Sequence, residues 1–271
     1  MVTLLDAHPE IAMTYEFYPN LLLGADSEDI DAIISTLEAT PDLNTAAKRM
    51  PTLGLSNLVK RAPRARLDNA GLAKQMQAHV SAGLGFSDPG HRLLFIERCA
   101  LHNMRLAGKS IWGAKCGTNF DEYAARWPKA KFINVIRDGR DVLASQLNTG
   151  DFKADPASLG KSWAKNHRRF RNLVRRGSID GHEITYEELI KNPRREAKAV
   201  FDFLEFCFDD RVLEFYNQGL NIYSVGHMSM PALVKPINAS QVGRWNRDLS
   251  QDQVTAFMSE AGEAMKEFGY V

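Results

Sequence analysis

Between Lys131 and Gln146 the chain reads KFINVIRDGRDVLASQ. The run KFINVI, 131–136, has the apolar, β-branched character of a buried strand. It stops abruptly at Arg-Asp-Gly-Arg-Asp, and VLASQL, 142–147, begins a helical pattern at once. A strand that turns directly into a helix is half of a crossover unit. The same rhythm recurs nearby. SIWGAK, 110–115, is strand-like and precedes a short helix, FDEYAARW, 120–127, stopped by Pro128. HEITY, 182–186, is a strand followed by EELIKN. Strands alternating with helices imply an α/β fold with parallel strands. Ligands of such sheets bind beyond the carboxyl ends of the strands. Arg137, the first residue after KFINVI, stands at that edge.

The remaining segments fill in this frame. Residues 2–8 read as the end of a helix stopped by Pro9, and IAMTYE, 11–16, as a short strand. Residues 27–110 are mainly helical, with loops expected at 51–54, 60–66 and 83–90. RLLFIERCALHNMRLAG, 92–108, is a helix ended by Gly108. WAKNHRRFRNLVRR, 163–176, is a helix, and Asn192-Pro193 opens another with an N-cap and a first-turn proline. In the last helix Ser250 and Gln253 form a capping box. Val254, Phe257, Met258, Ala261, Met265 and Phe268 share one face, read as core, and Gly269 closes it.

Charge excludes some functions. Lys and Arg number 34 against 33 Asp and Glu, for a net charge of +1. No global field draws this chain to nucleic acid or to a membrane, so anion binding must come from local placement of cations. Cys99, Cys116 and Cys207 are far apart and lack metal-ligand spacing, which reads as reduced thiols. There is no run of 18 apolar residues and no signal peptide, so the sequence as written reads as soluble and cytoplasmic.

RDGRD has two readings. It is an ordinary polar turn if Gly139 supplies an unusual backbone angle and Asp141 caps the next helix. It is an anion site if Arg137 and Ser145, eight residues on and about one turn into the helix, face one crevice. An arginine fork and a hydroxyl beside a helix N-terminus suit a phosphate.

KFINVIRDGRDVLAS resembles the 3′-phosphate-binding segment of the sulfotransferases that use 3′-phosphoadenosine 5′-phosphosulfate (PAPS). LLDAHPEIAMTYE, 4–16, is similar to a segment of bacterial and tyrosylprotein sulfotransferases. ITYEELIKNPRREAKAVFDFLEF, 183–206, and VKPINASQVGRW, 234–245, resemble later elements of the same family, in family order. The resemblance implies one sulfotransferase-type domain over 1–271, a P-loop-like parallel sheet flanked by helices, with 24–110 a mainly helical acceptor-side region. It implies PAPS as donor co-substrate with no metal. Arg137 and Ser145 then hold the 3′-phosphate, Tyr186 lies near the adenine, and Lys235 and Arg244 are further cations for the donor. Glu16 occupies the position of the general base, and Lys115 faces the sulfonate or the bridging oxygen. Each has a plain alternative: a salt-bridged carboxylate for Glu16, a solvated strand-end cation for Lys115, a core ring for Tyr186, surface cations for Lys235 and Arg244. Arg140 reads as a structural partner of Asp138 or Asp141.

One departure from the family stands out. The sequence starts inside the helix that should follow a PRSGTT-like loop, so the first strand and the 5′-phosphosulfate loop are expected to be missing. Two function classes follow. The first is sulfuryl transfer from PAPS to a hydroxyl or amine. The second is a non-catalytic, truncated relic that retains the 3′-phosphate half-site. The acceptor is open among small molecules, glycans and protein tyrosines. No nucleic-acid or membrane partner is expected, and the sequence says nothing of oligomeric state.

Two features read as decoys. AGKS, 107–110, mimics the end of a Walker A loop, but position 103, where a glycine is needed, is Asn103, and a helix precedes it. The basic run from Lys161 to Arg176 reads as a solvated helix face, with a basic rim for an anionic donor as second reading.

Overall fold

The computed structural model describes residues 1–25, 29–118, 120–148, 155–218 and 234–271. It is α/β, with parallel strand pairs flanked by helices. The chain packs as two compact units: Met1–Arg126 with Glu214–Lys235, and Trp127–Leu213 with Pro236–Val271.

In the first unit, α1 (Val2–Asp6) leads into β1 (Ile11–Thr14). Five helices follow: α2 (Ile30–Ala39), α3 (Leu43–Lys48), α4 (Leu53–Arg61), α5 (Asn69–Val80) and α6 (Pro89–Leu106). Each starts on a side-chain oxygen that accepts an orphan N–H of the first turn: Asp29, Asp42, Thr52, Asp68 and Asp88. Two of the expected loops are therefore shorter than the sequence suggested. Thr52 caps α4 inside the expected loop 51–54. The 60–66 stretch continues α4 to Arg61 and then forms a 3₁₀ turn, Ala62–Ala65, ended by Arg66 at φ +54°. Residues 26–28, at the start of the expected helical region, lie outside the described residues. β2 (Ile111–Ala114) then pairs in parallel with β1, Ile11 opposite Ile111 and Thr14 opposite Ala114, and α7 (Phe120–Arg126) follows. Phe17, Leu37, Leu58, Met76 and Phe95 lie in one buried apolar cluster.

The edge of β1 away from β2 is closed by side chains. Asp6 Oδ1 accepts from Met13 N at 2.8 Å, Asn103 Nδ2 donates to Met13 O at 3.0 Å, and Lys109 Nζ donates to Ile11 O at 3.0 Å. These bonds satisfy main-chain groups that a bare edge would offer to another strand. Lys109, the lysine of AGKS, is thus a brace for β1, and Gly108 supplies the left-handed turn, φ +64°, that ends α6.

The second unit is built on β3 (Lys131–Ile136) and β4 (Asp180–Thr185), paired in parallel with Ile136 opposite Thr185. α8 (Gly139–Asn148) and α9 (Pro156–Arg175) lie between the strands in sequence. After β4 come α10 (Tyr186–Lys191), α11 (Pro193–Leu204), the short α12 (Trp245–Asp248) and α13 (Gln251–Glu267). The capping box on Ser250 and Gln253 is formed. Asn192 precedes α11 but makes no capping bond; its Nδ2 donates to Glu188 Oε2 at 3.0 Å instead. On α9, Arg168 and Arg171 are spoken for by Glu267, and Arg171 also by Glu183.

The apolar face of α13 is core. Phe257, Ala261 and Met265 are fully buried with Ile136, Leu143 and Trp163. Phe257 sets the spacing here. A Cβ on Gly139 would fall 2.4 Å from Phe257 Cζ, and one on Gly160 would fall 2.5 Å from the Phe257 carbonyl oxygen. Gly139 is absent from the positive-φ residues, so close packing, not an unusual backbone angle, demands a glycine there. The cap of α8 also differs from expectation. Asp138, not Asp141, accepts from Arg140 N at 2.9 Å.

Two predictions follow from this packing. Gly139→Ala, which overpacks the Phe257 ring, should lower the stability of the protein by about 1–3 kcal/mol, read as a smaller denaturant midpoint, and Phe257→Leu in the same chain should recover part of the loss. His167 packs edge-on against Trp163 and Phe268. Burial pulls its pKa from 6.5 down to about 4, against the opposing charge of Glu183 and with that of Arg171. Below 6.5 the unfolded chain takes up this proton and the folded one does not. Stability is therefore expected to fall between pH 6.5 and about 4, and His167→Gln should remove about one proton from that slope in denaturant titrations.

Candidate functional site

Four of the residues singled out in the sequence, Glu16, Lys115, Arg137 and Tyr186, fall at two strand tips. Parallel pairing puts them there. Because Thr14 stands opposite Ala114, the chain just beyond β1 and the residue just beyond β2 emerge side by side. Glu16 and Lys115 are those residues, and Lys115 Nζ lies 2.7 Å from Glu16 Oε1.

Glu16 is held from several directions. Its other carboxylate oxygen is paired with Arg64 Nη1, and its carbonyl accepts from Arg61 Nη1 at 3.1 Å. Its φ of +47° is left-handed, which costs a non-glycine residue about 1 kcal/mol. Burial pushes the carboxyl pKa up, but the hydrogen bond and charge of Lys115 and the charge of Arg64 outweigh it, so it lies below the ordinary 4.5. Arg64 is nearly enclosed, with 10% of its side chain exposed, while Lys115 has 42%. Sequence reading missed Arg64. The signal was the cluster Arg61, Arg64 and Arg66 around Pro63, which reads as a loop until the end of α4 aims Arg61, and the 3₁₀ turn aims Arg64, at Glu16.

At the second tip Ile136 stands opposite Thr185, so Arg137 and Tyr186 are the next residues on either strand. The Arg137 guanidinium sits 4.8 Å from the Tyr186 ring centroid, a cation–π contact. Its Nη2 donates to the Gln241 carbonyl and lies 3.7 Å from Asp141 Oδ2. Trp163 Nε1 donates to the Arg137 carbonyl at 3.0 Å, which fixes the backbone from the core side. Arg137 Nε is buried and has no hydrogen-bond partner among the described residues. Burial raises the Tyr186 phenol pKa, against the lowering charge of Arg137, so the ring stays neutral beneath the cation at physiological pH.

Ser145 is half-buried on α8, one turn beyond Asp141 on the same stripe. Arg244 is drawn to this tip through Gln241: its Nη1 donates to Gln241 Oε1 at 2.6 Å, and its Nε to Asp248 Oδ2 at 2.7 Å. Lys235 is exposed and belongs to the first unit. Arg140 is bidentate to Asp138 at 3.0 and 2.7 Å and lies 4.0 Å from the Trp245 ring. Among the described residues no group of His, Cys, Asp and Glu is arranged to hold a metal ion, and no helix is long and apolar enough to cross a membrane.

Comparison with known proteins bears on what such tips do. A model of the sulfotransferase family matches residues 1–210. The chain belongs to the sulfotransferase family. It is 23% identical over 177 residues to protein-tyrosine sulfotransferase A of Caenorhabditis elegans, covering 61% of this chain and 45% of that protein. It is 24% identical over 222 residues to the protein-tyrosine sulfotransferase of Drosophila melanogaster, covering 76% and 41%. This sulfotransferase-family chain thus spans less than half the length of these curated relatives. Its fold is similar to that of the sulfotransferase domain of the Synechococcus PCC 7002 olefin synthase, at TM-score 0.54 and 17% identity over 94% of each chain. The sulfotransferase domain of the curacin biosynthetic pathway matches at TM-score 0.50 and 15% identity, over 96% of this chain and 91% of that one.

The Glu16 arrangement is testable by titration. Arg64→Ala removes one of the cations that lower the Glu16 pKa, so the pKa should rise, observed by carbon-detected NMR of the side-chain carboxyl. An unchanged value would assign the whole effect to Lys115. In the parent protein the stability contributed by Glu16 is present above pH 4.5 and is lost as pH falls through its lower folded value.

Proposed function

We propose that this chain transfers a sulfuryl group from PAPS to a hydroxyl or amine of an acceptor. The observation that carries the reading is Arg137. A guanidinium with 20% of its side chain exposed, whose Nε has no hydrogen-bond partner among the described residues, at the carboxyl end of a parallel strand, suits a phosphate oxygen. The family match supports the same chemistry. When bound, PAPS supplies the activated sulfuryl group.

In this reading Arg137 and the Ser145 hydroxyl hold the 3′-phosphate, and Tyr186, whose ring already supports Arg137, lies by the adenine. Arg244 and Lys235 are further cations for the donor, and the bonds of Arg244 to Gln241 and Asp248 give it the weaker claim. Glu16 is the base. Both its carboxylate oxygens are engaged, so one must be released to accept the acceptor's proton. Lys115 is the partner to leave, because it is much the more exposed of the two cations, and its departure frees Oε1 while Arg64 keeps the carboxylate oriented. Lys115 then faces the sulfonate or the bridging oxygen. Charge on the moving group is thereby stabilised by side chains, the requirement shared with phosphoryl transfer. Residues 24–110 form the acceptor side. The names of the curated relatives bring a tyrosyl hydroxyl into the range of acceptors, beside glycans and small molecules.

Calorimetry with adenosine 3′,5′-bisphosphate tests the reading at its centre. A hydrogen bond to a charged group contributes about 1.5–3 kcal/mol, so Arg137→Ala should weaken binding about tenfold to a hundredfold. Unchanged affinity would overturn the assignment. Binding without transfer of radiolabelled sulfate to any acceptor class would leave a nucleotide-binding protein in place of the enzyme.

A further inference from the structure

Asp141 is the most enclosed acid at the second strand tip, with none of its side chain exposed. The role of helix cap expected for it belongs to Asp138, which leaves a buried carboxylate to be explained. A buried charge is tolerated only where its oxygens are satisfied. Here they are satisfied by a segment about a hundred residues away. Gly243 N donates to Asp141 Oδ2 at 2.8 Å, and Trp245 N donates to Oδ1 at 3.0 Å. The backbone is shaped for this. Gly243 is left-handed at φ +72°, and Arg244 is right-handed at φ −61°, ψ −24°. That alternation of hand turns nearby N–H groups into one anion-binding concavity. The concavity is filled by a carboxylate of the same chain.

The same segment reaches Arg137. Gln241, two residues before Gly243, offers its carbonyl to Arg137 Nη2, and Arg137 in turn lies 3.7 Å from Asp141. Tyr186 covers one face of the guanidinium. The result is a closed circuit of carboxylate, strap 241–245 and guanidinium, in which Arg137 Nε has no hydrogen-bond partner among the described residues.

We propose that Asp141 is a positioning residue for the anion site. By pinning the strap 241–245 to α8, it fixes the Gln241 carbonyl that aims Arg137, and so holds the guanidinium at the strand tip for an incoming phosphate. The proposal rests on Arg137 being a phosphate ligand. It makes a counterintuitive claim, since an acid beside an anion site should repel the ligand. If Asp141 acted only through its charge, removing it would strengthen phosphate binding. If it acts through the strap, removing it weakens binding.

Asp141→Asn separates these. The variant keeps the shape, but its amide nitrogen meets one of the two N–H groups donor to donor. Affinity for adenosine 3′,5′-bisphosphate is expected to fall at least tenfold by calorimetry, while that for adenosine 5′-monophosphate, which lacks the 3′-phosphate, stays within twofold. Amide hydrogen exchange of Gly243 and Trp245 should be slow in the parent protein and fast in the variant. The proposal is overturned by unchanged or raised affinity for the bisphosphate, by an equal loss for both nucleotides, or by unprotected amides at 243 and 245 in the parent protein. This last measurement needs no variant. Arg137→Ala, run with the same probes, distinguishes the two layers. Without effect, it removes the phosphate reading itself; with a loss that Asp141→Asn does not share, it removes only the role of Asp141.

Discussion

Parallel register is the constraint on which the rest of this structure depends. In a parallel pair, two residues opposite each other fix the neighbourhood of whatever follows them. Ile136 opposite Thr185 makes Arg137 and Tyr186 neighbours, and Thr14 opposite Ala114 does the same for the residues leading to Glu16 and Lys115. A slip of one residue would turn every side chain to the other face. Register is held by burial of Ile136 and Ile184 in the second unit, and in the first by the side-chain bonds that close the outer edge of β1.

The two tips solve opposite electrostatic problems. At the first, a carboxylate is taken partly out of water and kept charged by cations on either side. At the second, a guanidinium is taken partly out of water and kept in place by a ring, a carbonyl and a more distant carboxylate. The first arrangement is saturated, since both oxygens of Glu16 have partners. At the second, Arg137 Nε has no hydrogen-bond partner among the described residues. Saturation favours a group that must be released before it acts.

Much of this was legible in the sequence. The alternation of strands and helices, the position of Arg137 at a strand end, the capping box at Ser250 and the apolar face of α13 all follow from local patterns, and the structure has them. What escaped was long-range. Nothing local says that Gly139 is small because Phe257 lies against it, since the two are far apart in sequence and the alternative, a turn needing an unusual angle, is the commoner reason for a glycine between charges. Nothing local separates Asp138 from Asp141 as the cap. Arg64 looked like loop because the proline beside it hid a 3₁₀ turn. For Gly139, Asp141 and Arg64 the deciding contact is with a residue far away in the sequence: Phe257, the strap 241–245 and Glu16.

The strap 241–245 meets Arg137 and Asp141 through main-chain atoms: one carbonyl and two amide N–H groups. Every amino acid carries that carbonyl, and every one except proline carries that N–H. The bonds to Arg137 and Asp141 therefore survive changes of side chain at Gln241 and Trp245, although such changes remove the Gln241 contact with Arg244 and the Trp245 contact with Arg140; proline at 243 or 245, or a residue intolerant of the reversed hand at 243, breaks the bonds themselves.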